Sequence, residues 1–216
     1  MTPVIFWGAT GQAKVLGEAL PFYNAELVAI FDIRDLTSPF SGVPIFQGET
    51  GFSEWERQCH NRDQVRTCVA IGGTHGRDRL ARKNWLRDRG YASFPIVHPR
   101  AFVAKSALIG DGCQILAMSA VCADARLGEA VIVNTSASID HDCVIGDGVH
   151  IAPGATLAGE VTVGDFAFVG TGAIVLPRIR IGENAIVGAG SVVTQDVAAG
   201  ETVIGNPAKI HRKGHV

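Results

Sequence analysis

The segment from Asn134 to Cys143 concentrates the side chains that could do acid–base chemistry. His141 stands between Asp140 and Asp142, and a carboxylate partner raises the basicity of an imidazole. Such a pair prepares a general base that takes up a proton near neutral pH. A solvated turn histidine would show the same local pattern, and the segment alone leaves both interpretations open.

The residues around this segment follow a six-residue period. From Val97 to Val193 every sixth residue is aliphatic, and a second series of small or aliphatic residues runs four positions behind it. A period of six fits neither an α-helix nor an ordinary strand. It is typical of a solenoid in which three six-residue units close one triangular coil. Cys113 and Cys143 belong to the small series, so we expect them to be buried.

Coils of 18 residues would stack His141 between Ala123 and Gly159. A glycine at 159 leaves room for a ligand beside the imidazole and offers an exposed backbone N–H. His150 lies half a coil further on, so we expect it on a different side of the prism. The two histidines could then meet only across a groove between neighbouring subunits. A histidine packed near Phe168 is the alternative interpretation of His150.

Residues 1–95 form a separate domain in this interpretation, and residues 96–216 form the solenoid domain with a C-terminal tail. The first domain follows a β-α-β-α-β-α pattern, which predicts a small parallel sheet. The predicted strands are Val4–Trp7, Leu27–Phe31 and Thr67–Ile71. The predicted helices run from the Gly8–Ala13 turn to about Tyr23, around Phe52–Cys59 and over Arg77–Arg89.

The Gly8–Ala13 turn follows the first predicted strand. A turn of this kind places backbone N–H groups at a helix N-terminus, where a phosphate binds well. Asp32 ends the second strand and is well placed for a ribose hydroxyl. The turn lacks the complete G-x-G-x-x-G spacing, so a tight turn without a ligand stays an alternative. One short domain holds one nucleotide, which favours a nucleotide-linked substrate, and His75 could line the same cleft.

The composition and net charge of the chain indicate which classes of partner to expect. The chain has 216 residues and a formal net charge of −2, so nothing indicates a nucleic-acid or membrane partner. No apolar run reaches about 18 residues and no signal-like N-terminus is present, so we expect a cytoplasmic protein. The five cysteines show no C-x-x-C spacing.

The chain resembles the bacterial sugar O- and N-acetyltransferases, a group that includes NeuD-like and PglD-like enzymes. The resemblance covers nearly the whole chain and rests on the hexapeptide solenoid, the His141-Asp142 pair, the His150–Ala155 run, the Gly205–Lys209 ending and the Gly8–Ala13 turn. It implies a Rossmann-like α/β domain followed by a left-handed parallel β-helix. It also implies a homotrimer with active sites at subunit interfaces, acetyl-CoA in the groove between two prisms, and a nucleotide-linked sugar held by the N-terminal domain.

Individual roles follow from the same resemblance. His141 matches the general base, Asp142 the acid that raises its basicity, and Gly159 the backbone donor to the thioester oxygen. The positions that match contacts to the coenzyme are His150, Thr171 and Ala189. The positions assigned to the substrate are Gly8, Gly11, Gln12, Asp32 and Asn134. The chain departs from its relatives at Gln12-Ala13, where a His-Gly pair is common, and at Ile33, where a second acid often follows Asp32.

The implied reaction is acetyl-CoA-dependent N-acetylation of a nucleotide-linked 4-amino-4,6-dideoxy sugar, with GDP-perosamine as the best match, for O-antigen or surface polysaccharide synthesis. It requires neither a metal nor a cysteine that carries the acetyl group. The sequence itself leaves the nucleotide base and the sugar stereochemistry open.

Four other functions are alternatives to this one. An O-acetyltransferase acting on a sialic acid would use the same fold and histidine. A γ-type carbonic anhydrase needs three histidines around zinc, whereas the solenoid offers His141 and His150, with His98 at its start. A non-enzymatic scaffold would need neither the Gly8 turn nor the His141-Asp142 pair. A sugar nucleotidyltransferase would need a long basic glycine loop, which the N-terminus lacks.

Overall fold

The computed structural model describes residues 1–59 and 61–211, and the chain divides into two units. The first unit comprises Met1–Gly72 and Asp78–Ile96, and the second comprises Gly73–Arg77 together with the chain from Val97 onwards. His75 therefore belongs to the second unit and not to the unit of the Gly8 turn. The end of the tail, residues 212–216, lies outside the described residues.

The first unit contains a five-stranded parallel sheet of order β3-β2-β1-β4-β5. Its strands are β1 (Thr2–Trp7), β2 (Ala25–Asp32), β3 (Ile45–Gln47), β4 (Arg66–Val69) and β5 (Ala92–Ser93). The helices along this part of the chain are α1 (Gly11–Gly17), α2 (Gly48–Gln58) and α3 (Gly76–Arg87), with 3₁₀ turns at Leu20–Tyr23 and Arg62–Gln64. This strand order is that of a Rossmann-like half-domain.

The predicted strands and helices of this unit are present, with two differences. Strands β3 and β5 were not predicted, because runs of two or three residues carry no period. The helix predicted to continue to Tyr23 ends at Gly17, and a 3₁₀ turn with Pro21 in its first positions follows. Glycine weakens a helix interior and proline removes a donor, so the α-helix does not continue through these residues.

Aromatic side chains form the core of the first unit. Trp7 and Phe31 stack at 5.7 Å between ring centroids, and Phe52 meets Phe31 edge-to-face at 5.0 Å. Residues Val4 to Trp7 of β1 are all buried. A strand that is buried on both faces has a continuous run of apolar residues, and this explains why Val4 to Trp7 show no alternation of apolar and polar residues.

The second unit is a parallel β-helix of two-residue strands, one in every six residues. They are β6 (Ile96–Val97), β7 (Phe102–Val103), β8 (Leu108–Ile109), β9 (Gln114–Ile115), β10 (Ala120–Val121), β11 (Arg126–Leu127), β12 (Ile132–Val133), β13 (Ser138–Ile139), β14 (Val144–Ile145), β15 (His150–Ile151), β16 (Thr156–Leu157), β17 (Thr162–Val163), β18 (Phe168–Val169), β19 (Ile174–Val175), β20 (Arg180–Ile181), β21 (Ile186–Val187) and β22 (Val192–Val193). Each strand from β6 to β19 pairs with the third strand after it, as β11 does with β14 through Leu127 and Ile145, so one coil spans 18 residues. Three sheets of five, six and eight strands result.

The predicted core of the β-helix is confirmed along most of its length. Every member of the aliphatic series from Ile115 to Val193 is buried, and so are Cys113 and Cys143 of the small series. Val97 is exposed, so this member of the predicted core is wrong. Val103 and Ile109 are only partly buried. These three residues belong to the first coil, which has a further coil on one side only.

A ladder of acidic residues follows the corner between the five-stranded and eight-stranded sheets. The Glu129 N–H donates to Asp147 Oδ1 at 2.7 Å, and the Asp147 N–H donates to Asp165 Oδ1 at 2.9 Å. A β-carbon at Gly128 or Gly146 would overlap these carboxylate oxygens. These two hydrogen bonds tie the coil of Glu129 to that of Asp147, and the coil of Asp147 to that of Asp165.

A short hairpin follows the last coil. Strand β23 (Thr202–Ile204) extends the eight-stranded sheet and pairs antiparallel with β24 (Lys209–Ile210). The Gly205–Lys209 ending forms the connection, and the Ala208 N–H donates to the Val192 carbonyl at 2.8 Å. In the described part of the chain, no helix combines the length and apolarity that a membrane span requires.

Candidate active site

His141 lies in the turn between β13 and β14, at the corner where the six-stranded and five-stranded sheets meet. The next residue, Asp142, has the left-handed φ of 59° that this turn position requires. Aspartate is among the few non-glycine residues that adopt this conformation readily. The Asp142 N–H donates to the Ala123 carbonyl at 2.9 Å, which fixes the turn to the coil below.

The side chains of His141 and Asp142 form a hydrogen-bonded pair. His141 Nδ1 and Asp142 Oδ2 are 2.8 Å apart. Because a carboxylate only accepts, Nδ1 carries the proton and Nε2 presents its lone pair. Asp140 accepts the backbone N–H of His141 at 2.8 Å. The pair therefore orients the imidazole with its basic nitrogen free.

The electrostatic surroundings favour the protonated imidazole. The hydrogen bond to Asp142 raises the pKa of His141 above its ordinary value; burial opposes this effect, and the charges of Asp140, Asp142 and Glu160 add to it. The His141 side chain is 53% exposed, so solvent and a substrate both reach it. A reachable imidazole of raised basicity is suited to remove a proton from a nucleophile.

Gly159 lies one coil above His141. A β-carbon at 159 would stand 2.5 Å from both Cε1 and Nε2 of His141, so Nε2 faces the glycine. The Gly159 carbonyl accepts the Arg178 N–H at 3.1 Å, while the Gly159 N–H has no acceptor among residues 1–59 and 61–211. A base beside a free backbone donor is the arrangement that acyl transfer requires.

His150 occupies a different environment. It lies in β15 of the eight-stranded sheet, is buried, and meets the Phe168 ring edge-to-face at 5.3 Å. Its Nδ1 donates to the Gly73 carbonyl at 3.1 Å, and its Nε2 accepts from Asn134 Nδ2 at 3.0 Å. The alternative of a packed histidine describes this side chain, and a direct contact of His150 with the coenzyme stays a prediction.

The side-chain amide of Asn134 is fixed by hydrogen bonds within the chain. Its Oδ1 accepts the Thr135 N–H at 2.8 Å and its Nδ2 donates to His150, so both ends of the amide have a partner. The contact to substrate predicted for Asn134 therefore competes with bonds inside the chain, and it stays a prediction.

Thr171 and Ala189 are both exposed at the corner between the eight-stranded and six-stranded sheets. They stack one coil apart, since the Gly190 N–H donates to the Thr171 carbonyl at 2.9 Å. This corner is not the corner of His141. Within one chain, Thr171 and Ala189 therefore lie on a different edge of the prism from the predicted base.

The loop Gly73–Arg77 packs within the second unit, which the sequence analysis did not predict. Arg77 pairs with Glu183 at 2.6 Å, and its guanidinium lies 4.2 Å from the centre of the Phe166 ring. A β-carbon at Gly76 would overlap the Gly148 carbonyl. The run of glycines at 72, 73 and 76 is the signal that could have indicated such a close approach.

In the first unit, the Gly8 turn is built as a close approach of backbones. Gly8 has a φ of 112°, and a β-carbon there would overlap the Ala70 carbonyl. The tight-turn interpretation thus accounts for Gly8. Gly11 is different, because its side-chain position is open and exposed at the start of α1. The Gln12 side chain lies beside Gly72, with Oε1 3.5 Å from the position of a β-carbon there.

Asp32 is buried and both of its oxygens have partners inside the unit. Oδ2 accepts the Ala9 N–H at 3.0 Å, and the Arg34 guanidinium binds side-on, with Nε 2.8 Å from Oδ1 and Nη2 2.9 Å from Oδ2. Burial raises the pKa of Asp32, but the hydrogen bonds from Arg34 and Ala9 outweigh it and hold the pKa below its usual range. Arg34 was not among the predicted site residues, although it stands only two positions after Asp32 in the sequence.

Comparisons with known proteins identify the family of the chain. The "Bacterial transferase hexapeptide (six repeats)" family model matches residues 124–159 and 160–195. PerB from Caulobacter crescentus, solved in complex with CoA and GDP-perosamine, is 36% identical, with 97% of each chain covered and a TM-score of 0.88. This chain belongs to the bacterial hexapeptide-repeat sugar acetyltransferases.

Two further structures are similar to this acetyltransferase. The acetyltransferase domain of PglB from Neisseria gonorrhoeae FA1090 is 32% identical over 98% of this chain and 100% of that chain, with a TM-score of 0.84. WeeI from Acinetobacter baumannii AYE is 27% identical over 96% of this chain and 99% of that chain, with a TM-score of 0.85. No curated protein sequence matches the chain. The family confirms the predicted fold class, a Rossmann-like α/β domain followed by a left-handed parallel β-helix.

Three of the cysteines, Cys68, Cys122 and Cys143, are poorly suited to supply a thiolate near neutral pH. Burial raises the pKa of Cys143 to about 11, and burial also raises the pKa of Cys68 and of Cys122. A nucleophilic cysteine needs a lowered pKa. Across the described residues, no three His, Cys, Asp or Glu side chains converge as a metal site would require.

Proposed function

We propose that this acetyltransferase transfers the acetyl group of acetyl-CoA to the 4-amino group of a nucleotide-linked 4-amino-4,6-dideoxy sugar, with GDP-perosamine as the acceptor. The His141–Asp142 pair carries the proposal, because its Nε2 lies beside Gly159, whose N–H has no acceptor among the described residues. A relative of 36% identity is a perosamine N-acetyltransferase, one of whose structures is of an H141N mutant with CoA and GDP-perosamine. That acceptor is an amine, which favours N- over O-acetylation.

In the proposed mechanism, the amine nitrogen attacks the thioester carbonyl carbon while His141 Nε2 removes its proton. A C–N bond forms and the carbonyl oxygen becomes an oxyanion, to which the Gly159 N–H donates. One such donor is worth about 3–4 kcal/mol in the transition state. When the intermediate collapses, the C–S bond breaks and the imidazolium returns the proton to sulfur, so the products are the amide and coenzyme A. Asp142 stays ionised throughout and stabilises the imidazolium.

The substrates are assigned to different parts of the chain in this proposal. The exposed start of α1 at Gly11 takes part in binding the nucleotide, together with Gln12 and the Gly8 turn, and Asp32 belongs to the same nucleotide site. Thr171 and Ala189 contact the coenzyme. His150 and Asn134 support that corner from below, since Asn134 also fixes Thr135 at the same corner.

The proposed assembly is a homotrimer with active sites between subunits. One observation supports it: the corner of Thr171 and Ala189 is not the corner of His141, so a second subunit is needed to bring coenzyme and base together. Large apolar side chains are also exposed along the β-helix, among them Leu108, Val144 and Ile174. Triangular prisms bury such faces around a threefold axis. Sedimentation should give three times the chain mass of 22.8 kDa.

A cytoplasmic location and a role in O-antigen or surface polysaccharide synthesis belong to the same proposal. Acetyl-CoA and nucleotide-linked sugars are both intracellular metabolites. An acetylated nucleotide sugar is an activated donor, so a glycosyltransferase reaction would consume the product.

The deciding experiment measures thiol release from acetyl-CoA with GDP-, UDP- and dTDP-linked 4-amino sugars and with a sialic acid. GDP-perosamine should support turnover, and His141→Asn should lower kcat by about 10²–10⁴ while coenzyme binding is retained. Asp124→Asn is the matched control, because this exposed acid lies one coil below Asp142. Turnover with the sialic acid alone, or near-parental kcat in His141→Asn, would contradict the proposal.

A further inference from the structure

Arg34 is an exposed arginine beside the Gly8 turn, and none of the roles above uses it. Its side chain is 57% exposed, whereas its partner Asp32 is 4% exposed. The guanidinium binds the carboxylate side-on, with one bond from Nε and one from Nη2. A buried carboxylate thus fixes the orientation of an arginine whose outer edge faces solvent.

The side-on pair leaves part of the guanidinium available. An arginine carries five N–H donors in a planar fork, of which this pair uses two. The three remaining N–H groups lie on the edge away from Asp32. Their orientation is set before any ligand binds, because the planar fork cannot rotate without breaking one of the two bonds.

We propose that Arg34 binds the diphosphate of the nucleotide sugar and that Asp32 is a positioning residue for Arg34 instead of an acceptor for a ribose hydroxyl. This inference deepens the proposed function, since it names the residue that recognises the nucleotide part of the same substrate. The usual acid at the end of the second strand accepts from ribose. Here the oxygens of Asp32 already accept from Ala9 and Arg34.

The geometry favours the diphosphate over the base. Asp32 Oδ2 accepts from the Ala9 N–H at 3.0 Å and from Arg34 Nη2 at 2.9 Å, so one oxygen joins the glycine turn to the guanidinium. Arg34 therefore lies directly beside Ala9 of the glycine turn that the sequence predicts to bind phosphate. A guanidinium group binds the oxygens of a phosphate in bidentate fashion. The edge formed by Nε and Nη2 already binds Asp32, so a phosphate would bind the N–H groups on the opposite edge.

The first test compares GDP, GMP and guanosine by calorimetric titration of the parent and of Arg34→Gln. The variant should bind GDP about 10–100-fold more weakly and guanosine with unchanged affinity. Arg87→Gln is the matched control, since Arg87 is an exposed arginine paired with Asp88 in the same unit. Unchanged GDP affinity in Arg34→Gln, an equal loss for guanosine, or no binding of GDP to the parent would overturn the proposal.

The second test asks whether Asp32 acts through Arg34. If it does, Asp32→Asn weakens GDP binding, and the Asp32→Asn, Arg34→Gln double variant is no weaker than Arg34→Gln alone. Additive losses would mean that Asp32 contacts the nucleotide itself. Arg34→Lys should not restore affinity, because a lysine cannot keep both bonds to Asp32.

Steady-state kinetics separates this inference from the proposed function. Arg34→Gln should raise the KM for the nucleotide sugar about 10–100-fold and leave the KM for acetyl-CoA unchanged. Absence of acetyl transfer to every nucleotide amino sugar by the parent enzyme would refute the proposed function, and the GDP titrations would still decide the role of Arg34. Normal turnover with an unchanged KM in Arg34→Gln would refute Arg34 alone.

Discussion

The imidazole of His141 occupies the space that a β-carbon on residue 159 would need. The position of that carbon lies 2.5 Å from both Cε1 and Nε2 of the ring. The two residues stand one coil apart, so the relationship depends on the strict register of the β-helix. It makes Gly159 a steric partner of the proposed base, in addition to its proposed role as a backbone donor.

Gly159→Ala should therefore lower kcat without unfolding the protein. The added methyl must push aside the exposed His141 ring, and a displacement of about 1 Å can cost about 10²-fold in rate. Tm should stay close to that of the parent, because the ring can swing into solvent. Parental kcat in this variant would mean that the ring orientation seen here is not the reactive one.

The pH profile should report which carboxylate tunes His141. As the base, His141 must be neutral, so kcat/KM falls on the acidic side as the pH drops through its pKa, which Asp142 raises. Asp142→Asn removes the largest contribution and should move the acidic limb to lower pH with a lower plateau. Asp140→Asn removes a smaller Coulombic contribution and should move it less. The measurement is kcat/KM from pH 5 to 9; a limb that stays in place in Asp142→Asn would exclude the pair as its origin.

His150→Phe should reduce stability more than it affects coenzyme binding. The phenyl ring keeps the packing but leaves the Gly73 carbonyl and Asn134 Nδ2 without their partner, which costs about 1–3 kcal/mol. Thermal unfolding of His150→Phe, Asn134→Leu and the double variant should show coupling between the two sites. An increased KM for acetyl-CoA at unchanged Tm would instead support direct contact of His150 with the coenzyme.

The acidic ladder gives a prediction about stability alone. Asp147→Ala removes the acceptor of the Glu129 N–H and should lower Tm by several degrees, because a partly buried donor loses its partner. Asp147→Asn keeps an acceptor oxygen and should lose less. Acetyl transfer below the unfolding temperature should be the same in both variants. Equal Tm values for the two variants would show that charge, and not the hydrogen bond, stabilises this corner.

Much of the β-helix could be predicted from the sequence because its repeat is local. Each coil buries the same positions, so the six-residue series by itself placed Ile115 to Val193 in the core and stacked His141 beneath Gly159. The prediction that Val97 is buried is wrong, because Val97 lies in the first coil, which has a neighbouring coil on one side only. A periodic pattern does not indicate where the stack of coils ends. The Gly8 turn could also be predicted from the sequence, because the positive φ of Gly8 and its close approach to the Ala70 backbone both require glycine.

Other features depended on contacts between residues far apart in sequence. The packing of Gly73 against His150, and the pairing of Arg77 with Glu183, join a loop of the first 95 residues to the β-helix. Asp32 looked like a ribose acceptor from its position at a strand end. The folded chain shows that both oxygens of Asp32 already accept hydrogen bonds from Ala9 and Arg34. The sequence could not show this, because the hydrogen-bond partners of a side chain depend on which residues the fold brings close to it. The sequence by itself thus determined the repeat, the core and the position of the proposed base, while the tertiary structure decided which polar groups already have partners.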